Sequence, residues 1–260
     1  MTTAAQQWSD DLAAWAIPDA ILAQALEDPW VLPPAMFTVV ADELTTPSHA
    51  RSREALPVGG TVLDVGCGGG RASVPLVPPA ARLIGVDESA VMLERFAYAA
   101  QARGAVHTEV VGRWPDVAAA VPVADVVVCH HVAYNVPDLA PFLQALGSRA
   151  SRRVVVELPW THPLSHLAPY WRRFWDLERP DGPTAQDCLA VAQEAGIDAR
   201  LDVWDDVAFE TRTTLTPEEH ARVVRVRLCL PEEREPEVAA MLSDAAPAGT
   251  RRSATLWWDG

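Results

Sequence analysis

Along the middle of the chain, short uninterrupted apolar runs alternate with longer segments whose apolar positions recur at helical spacing. Thr61–Val65, Leu83–Val86, Val106–Val111, Val126–Cys129 and Val154–Val156 are such runs. Strands covered on both faces read as continuous apolar stretches, whereas half-buried strands alternate, so the five runs predict a parallel sheet. Between the second and third, Ser89–Arg103 places Val91, Met92, Leu93 and Phe96 along one side of a helix. Strand and helix alternating in this way predict an α/β fold with right-handed crossovers and helices on both faces of the sheet. A helix is expected over Thr184–Ala195, stopped by Gly196, a sixth strand at Ala199–Phe209 and a last strand at Ala254–Trp258.

The flanking regions have another texture. Residues 1–57 show no strand pattern and predict helices broken by prolines at Trp8–Ile17, Asp19–Glu27 and Ala35–Leu44. A proline- and tryptophan-rich segment opens Thr161–Glu194, and a helix-rich excursion runs from Pro217 to about Ala245. The expected organisation is an N-terminal helical lid, 1–57, on a core, 58–260, with cap insertions near 161–185 and 212–247. Trp8, Trp15 and Trp30 are assigned to packing, and Trp160, Tyr170, Trp171 and Trp175 either to packing or to an aromatic acceptor pocket.

Composition narrows the function. With 260 residues and 49% hydrophobic positions the chain can bury a sizeable core. Its 21 basic residues, all arginine, face 35 acidic ones, so nucleic acid meets net repulsion unless a local patch such as Arg149, Arg152 and Arg153 outweighs it. The four cysteines, Cys67, Cys129, Cys188 and Cys229, form no CxxC pair, and the chain has neither a charged leader before an apolar stretch nor a run of 18 apolar residues. A cytoplasmic protein without a membrane span is expected.

The candidate chemistry starts where the first strand meets Gly66-Cys67-Gly68-Gly69-Gly70. A strand that enters glycines and then opens a helix exposes backbone amides to a close-lying ligand, which suits a nucleotide. The dinucleotide fingerprint GxGxxG fails, because Arg71 stands where its third glycine belongs. The fit is instead to Asp64-x-Gly66-x-Gly68-x-Gly70. Asp87, 21 residues after Gly66 at the end of the second strand, can accept two hydrogen bonds from a ribose diol, or cap the following helix, or both.

The stretch Val62-Leu63-Asp64-Val65-Gly66-Cys67-Gly68-Gly69-Gly70 resembles motif I of the class I S-adenosylmethionine-dependent methyltransferases. The resemblance covers about residues 58–160, and with Gly112–Asp116, His130-His131 and Tyr134–Asp138 it extends to a group of uncharacterised bacterial methyltransferases. It implies a Rossmann-like, doubly wound seven-stranded sheet with a reversed last strand, S-adenosyl-L-methionine as cofactor and S-adenosyl-L-homocysteine as product. It also implies a cofactor site of Asp64, Gly66, Cys67, Gly68, Gly70, Asp87, Glu88, Ser89, Met92, Arg113, Trp114 and His130, with Asp64 beneath the methionine end. Where family members carry an acidic adenine reader after the third strand, this chain has Gly112-Arg113-Trp114-Pro115-Asp116, so Trp114 stacks on the adenine or Asp116 acts as a displaced reader.

His130, His131 and Tyr134 are the candidate catalytic residues, one histidine entering the cleft because neighbours on an extended chain point opposite ways. His162 and His166 have a metal-ligand spacing but only Glu157 as an acidic partner, and no metal is expected. The leading expectation is methyl transfer to a small-molecule acceptor by a monomer or homodimer. The rivals are a methyltransferase acting on protein or RNA, a binding protein that holds the cofactor without turnover, and a nicotinamide-linked oxidoreductase.

Overall fold

All the apolar runs become strands of one sheet in the computed structural model, which describes residues 2–30, 46–206, 215–244 and 251–260. They are β1 (Thr61–Val65), β2 (Arg82–Asp87), β3 (Val106–Val111), β4 (Ala124–His130), β5 (Ala150–Pro159), β6 (Arg200–Asp205) and β7 (Arg252–Asp259). The order across the sheet is β3-β2-β1-β4-β5-β7-β6. Strands β1 to β5 pair in parallel, and β7 runs antiparallel to both β5 and β6. The strand order reverses between β1 and β4, and a doubly wound sheet opens its ligand crevice at that switch point, beyond the C-terminal strand ends.

Helices cover both faces. On one face Leu63, Val65, Val127, Cys129, Val154 and Val156 pack under α1 (Ala4–Ala13), α5 (Leu139–Gly147) and α7 (Ala185–Glu194). Helix α7 begins where its sequence says: Thr184 accepts from Asp187 N while Asp187 accepts from Thr184 N, a reciprocal cap. Helix α1, expected as part of a lid, is instead built into this layer. Its Trp8 is fully buried and donates from Nε1 to Val136 O at 2.9 Å.

The other face, with Val62, Leu83, Val126, Val128 and Val155, is covered by α4 (Ala90–Ala102) through Leu93, Phe96 and Ala100. Beside it lies α3 (Pro47–Ala55), a helix the sequence does not announce, because its buried residues are Ser48, His49 and Ser52. It packs on β4, β5 and β7 with polar contacts such as Ser48 Oγ to Thr255 Oγ1 at 2.7 Å.

A third cluster stands off the sheet. It joins Ile17, α6 (Ala168–Trp175), α8 (Pro217–Arg227) and α9 (Glu235–Asp244) through Leu167, Tyr170, Trp171, Val224, Leu228 and Val238. The segment expected as one helix at Asp19–Glu27 is helical only as α2 (Asp19–Leu22). The helix expected at Ala35–Leu44 lies outside the described residues, as do the end of the strand expected at Ala199–Phe209 and both margins of the 212–247 insertion. Trp15 is buried with Trp8, but Trp30 is 52% exposed. Among the described residues no helix is long and apolar enough to cross a membrane.

Candidate functional site

Where β1 ends, the backbone turns back on itself through Gly66, φ +68°. A Cβ there would stand 2.4 Å from Val132 Cγ2, so glycine is required both by the left-handed conformation and by the loop after β4 lying directly against it. Gly70, φ +88°, meets Val74 Cγ2 at 2.6 Å in the same way. The loop is tied to β2 by Gly66 N and Cys67 N, which both donate to Val86 O.

Asp64 lies fully buried near this turn. Ser73 Oγ donates to its Oδ2 at 2.6 Å, Oδ1 has no partner, and burial pushes the carboxyl up to about 7. It is not among the residues lining the cavity; it holds the Ser73 end of the glycine loop.

Asp87 closes the loop from β2, accepting from Gly68 N through Oδ2 and from Ser89 N through Oδ1, each at 2.9 Å. A carboxylate oxygen has a second lone pair, so both can still accept from a diol. Capping of α4 falls to Ser89, whose hydroxyl accepts from Met92 N. Glu88 and Arg113, both largely exposed, approach to 3.9 Å. Trp114 is 6% exposed and donates to Phe142 O, while Asp116 is not part of the cavity wall.

These elements enclose a cavity of about 570 Å³ at the C-terminal strand edge. Gly66, Cys67, Gly68, Asp87, Glu88, Met92, Arg113, Trp114, His130 and His131 all line it. Asp64, Gly70, Ser89 and Tyr134 do not. Cys67, 4% exposed, has its thiol raised by burial.

At the far end, β4 and β5 set His130 beside Glu157 in register. The next residue, His131, has φ +61°, a conformation uncommon for a side-chain-bearing residue. Its N donates to Glu157 O at 2.7 Å, and its ring Nε2 donates to Glu157 Oε1 at 3.1 Å. Thr46 Oγ1 donates to Glu157 Oε2 at 2.5 Å, and Thr46 N donates to His49 Nδ1. Burial works against charge on Glu157; the charge His130 would carry if protonated and the hydrogen bonds from His131 and Thr46 hold the carboxyl well below its usual range. Burial drives His130 down to about 3, so it is neutral, and its Nε2 is unpartnered among the described residues.

Two candidate residues have other work. Tyr134 donates its hydroxyl to Pro159 O at 2.9 Å and stacks on Trp8 at 5.4 Å, pinning the 131–136 loop to the core. That contact gives the hydroxyl a structural partner; burial raises its phenol, and it is not among the residues lining the cavity. His162 stacks on Trp15 at 4.1 Å. Among the described residues no cluster of three histidine, cysteine or acidic side chains could hold a metal. Residue-by-residue reading missed Arg71 in the wall and the role of Glu157. A carboxylate inside the apolar run Val154–Leu158 was the available signal for the last.

Residues 62–150 match the family described as "Methyltransferase domain". No curated protein sequence is similar enough to match. Solved structures share the fold. A methyltransferase from Geobacter sulfurreducens in complex with S-adenosyl-L-homocysteine is 16% identical with a TM-score of 0.57, over 88% of this chain and 98% of that one. One from Thiobacillus denitrificans, with the same compound, is 18% identical at 0.56 over 90% and 98%. Coclaurine N-methyltransferase bound to N-methylheliamine and S-adenosylhomocysteine is 11% identical at 0.50 over 98% and 93%. The order β3-β2-β1-β4-β5-β7-β6 and the glycine loop lie with the segment that matches a methyltransferase domain, and the sheet has the fold of these solved methyltransferases.

Proposed function

We propose that this protein transfers the methyl group of S-adenosylmethionine to a small-molecule acceptor. The observation that carries the reading is the single cavity wall that runs from Asp87 and Trp114, past the glycine loop, to His131 and Asn135. Its volume falls within the ~300–1,000 Å³ of small-molecule sites. Asp87 and Glu88 offer acceptors for a ribose, Trp114 and Met92 an apolar wall for the base, and Gly66–Gly69 a backbone cradle without Cβ obstruction.

The cofactor, when bound, supplies an electrophilic methyl on a sulfonium. The chain supplies alignment and exclusion of water: Val65, Val132, Val136 and Phe142 make the wall apolar, and a buried, oriented nucleophile needs little else. The formal charge of −14 argues against RNA as acceptor, and a neighbour of this fold was crystallised with a small amine. A cytoplasmic, bacterial setting belongs to the same proposal.

Titration calorimetry with S-adenosylmethionine, S-adenosylhomocysteine and NAD, repeated on Asp87→Ala, tests the cofactor half. Binding of the first two alone, weakened in the variant, supports it; NAD binding instead restores the oxidoreductase. Labelled-methyl transfer to a metabolite panel, beside rRNA and total protein, tests the acceptor half. Label confined to a macromolecule overturns the small-molecule reading, and tight binding with no transfer to any fraction favours a non-catalytic role.

A further inference from the structure

We propose that His131 is the general base of the methyl transfer, that Glu157 positions it, and that the acceptor is a neutral hydroxyl of phenol or enol acidity. The inference rests on the methyltransferase reading and names the substrate class for the same site.

Four observations meet at this residue. His131 lines the same cavity as the glycine loop, and its neighbour Val132 is the side chain against which Gly66 is pressed. Its ring is 32% exposed while that of His130 is 5% exposed. Its backbone sits in the left-handed region, held there by the bond from its N to Glu157 O. Its Nε2–H is committed to Glu157 Oε1, which leaves Nδ1 with the ring's free lone pair.

Glu157 is itself anchored. The Thr46 hydroxyl holds its second oxygen, and the side chain is 3% exposed, so it cannot swing to water. The pair therefore becomes a neutral carboxylate–imidazolium couple when Nδ1 takes a proton. Groups facing it are His130 from β4, His49 from α3, Thr46 at the N-terminal cap of that helix, and Arg71 after the glycine loop.

The step balances without a further reagent. The acceptor O–H bond breaks and its proton goes to His131 Nδ1, the oxygen lone pair forms the new O–CH3 bond, and the S–CH3 bond breaks with its electron pair left on sulfur. The imidazolium returns its proton to water when product leaves. Carboxylates and thiols ionise unaided and tertiary amines carry no proton, so none needs this device; a primary or secondary ammonium would need it, and label on such an amine in place of a phenol or enol overturns the hydroxyl assignment. A phenol, at about 10, is acidic enough for assisted transfer to an imidazole, whereas an aliphatic alcohol is not.

Two measurements test the proposal. In the S-adenosylhomocysteine complex at about pH 8, nitrogen NMR of the His131 ring is expected to show Nε2 protonated and Nδ1 bare, with that preference lost in Glu157→Gln. Protonation at Nδ1, or an unchanged tautomer in the variant, overturns the arrangement. With radiolabelled S-adenosylmethionine and a panel of phenols, enols, thiols, carboxylates and primary, secondary and tertiary amines, label is expected on phenols or enols. His131→Gln should slow it about 100-fold or more, and Glu157→Gln should lower kcat with little change in KM. Label only on proton-free or self-ionising acceptors, or full activity in His131→Gln, defeats the base. If the panel stays unlabelled, the tautomer decides. Absence of S-adenosylhomocysteine binding would sink the cofactor reading instead, and the two failures are separable because the tautomer is also read in the free protein.

Discussion

The two ends of the cavity are built in opposite ways. The end expected to hold the cofactor is made largely by one stretch of backbone, Gly66–Gly69, braced by Asp87 from the end of the adjacent strand. The other end is assembled from Thr46, His49, Arg71, His130, His131 and Glu157, drawn from a helix, a loop and two strands. A backbone cradle needs only missing side chains and a fixed turn, so it tolerates no bulk but asks little of the rest of the chain. A side-chain network needs every partner in place, because each buried polar group left alone is costly. The first kind of site can serve one cofactor across many proteins, and the second can be rebuilt around each acceptor.

Four changes would break or sharpen that contrast. The largest effect is expected at the buried support of the cradle. Asp64 titrates in the folded state at about 7 against an ordinary 3.8, so the folded protein holds this proton more tightly than the unfolded chain. Its contribution is therefore fully present below 3.8 and is lost as pH rises through about 7. Asp64→Asn should gain stability relative to wild type across that window, by roughly 4 kcal/mol at most. Urea midpoints of both proteins between those limits check it, and parallel curves would mean that the carboxylate is paired after all.

Next comes the cradle itself. Gly66→Ala forces a Cβ against Val132 in a left-handed conformation and should cost about 1–3 kcal/mol, with a 10- to 100-fold loss of S-adenosylhomocysteine affinity by calorimetry. An unaffected affinity would show that the loop is not the cradle. Asp87→Asn keeps the size and removes the charge, and about a tenfold weaker affinity is expected from losing charge-assisted bonds. A larger loss than in Gly66→Ala would reverse the ranking and make the ribose contact dominant.

The smallest effect belongs to the other end. Tyr134→Phe removes the hydroxyl from Pro159 O and should cost about 0.5–1.5 kcal/mol of stability in urea melts, with kcat unchanged within about twofold. A loss of kcat without a loss of stability would return Tyr134 to the chemistry.

How far each end could be read beforehand follows from the same contrast. The glycine loop and Asp87 sit in short windows where residue type alone constrains the backbone, so the sequence pointed to their place beside the cavity. Asp64 lies buried at the right turn and outside the cavity lining, and a motif does not say whether a carboxylate faces ligand or core. Helix α3 escaped because periodicity detects apolar faces, and its inner face is Ser48, His49 and Ser52. The break at Leu22 and the reassignment of α1 from lid to core layer escaped because proline spacing marks ends of helices, not what they pack against.

By itself the sequence determined the strands, the α/β class and the turn that makes a cradle, since these depend on apolar runs and on glycine's freedom at positive φ, while the burial expected of all five runs fails at the edge strand β3, where Val106 and Val111 are exposed. Only the tertiary structure decided that Thr46 and Glu157, 111 positions apart, are joined by a hydrogen bond. It also decided that of the two cavity-lining histidines His131 is the more exposed and is tied to Glu157, and that Trp8 and Tyr134 hold the loop between them. Those arrangements depend on strand register, on one residue forced into the left-handed region and on desolvation, and such effects of distant chain segments leave no local pattern to read.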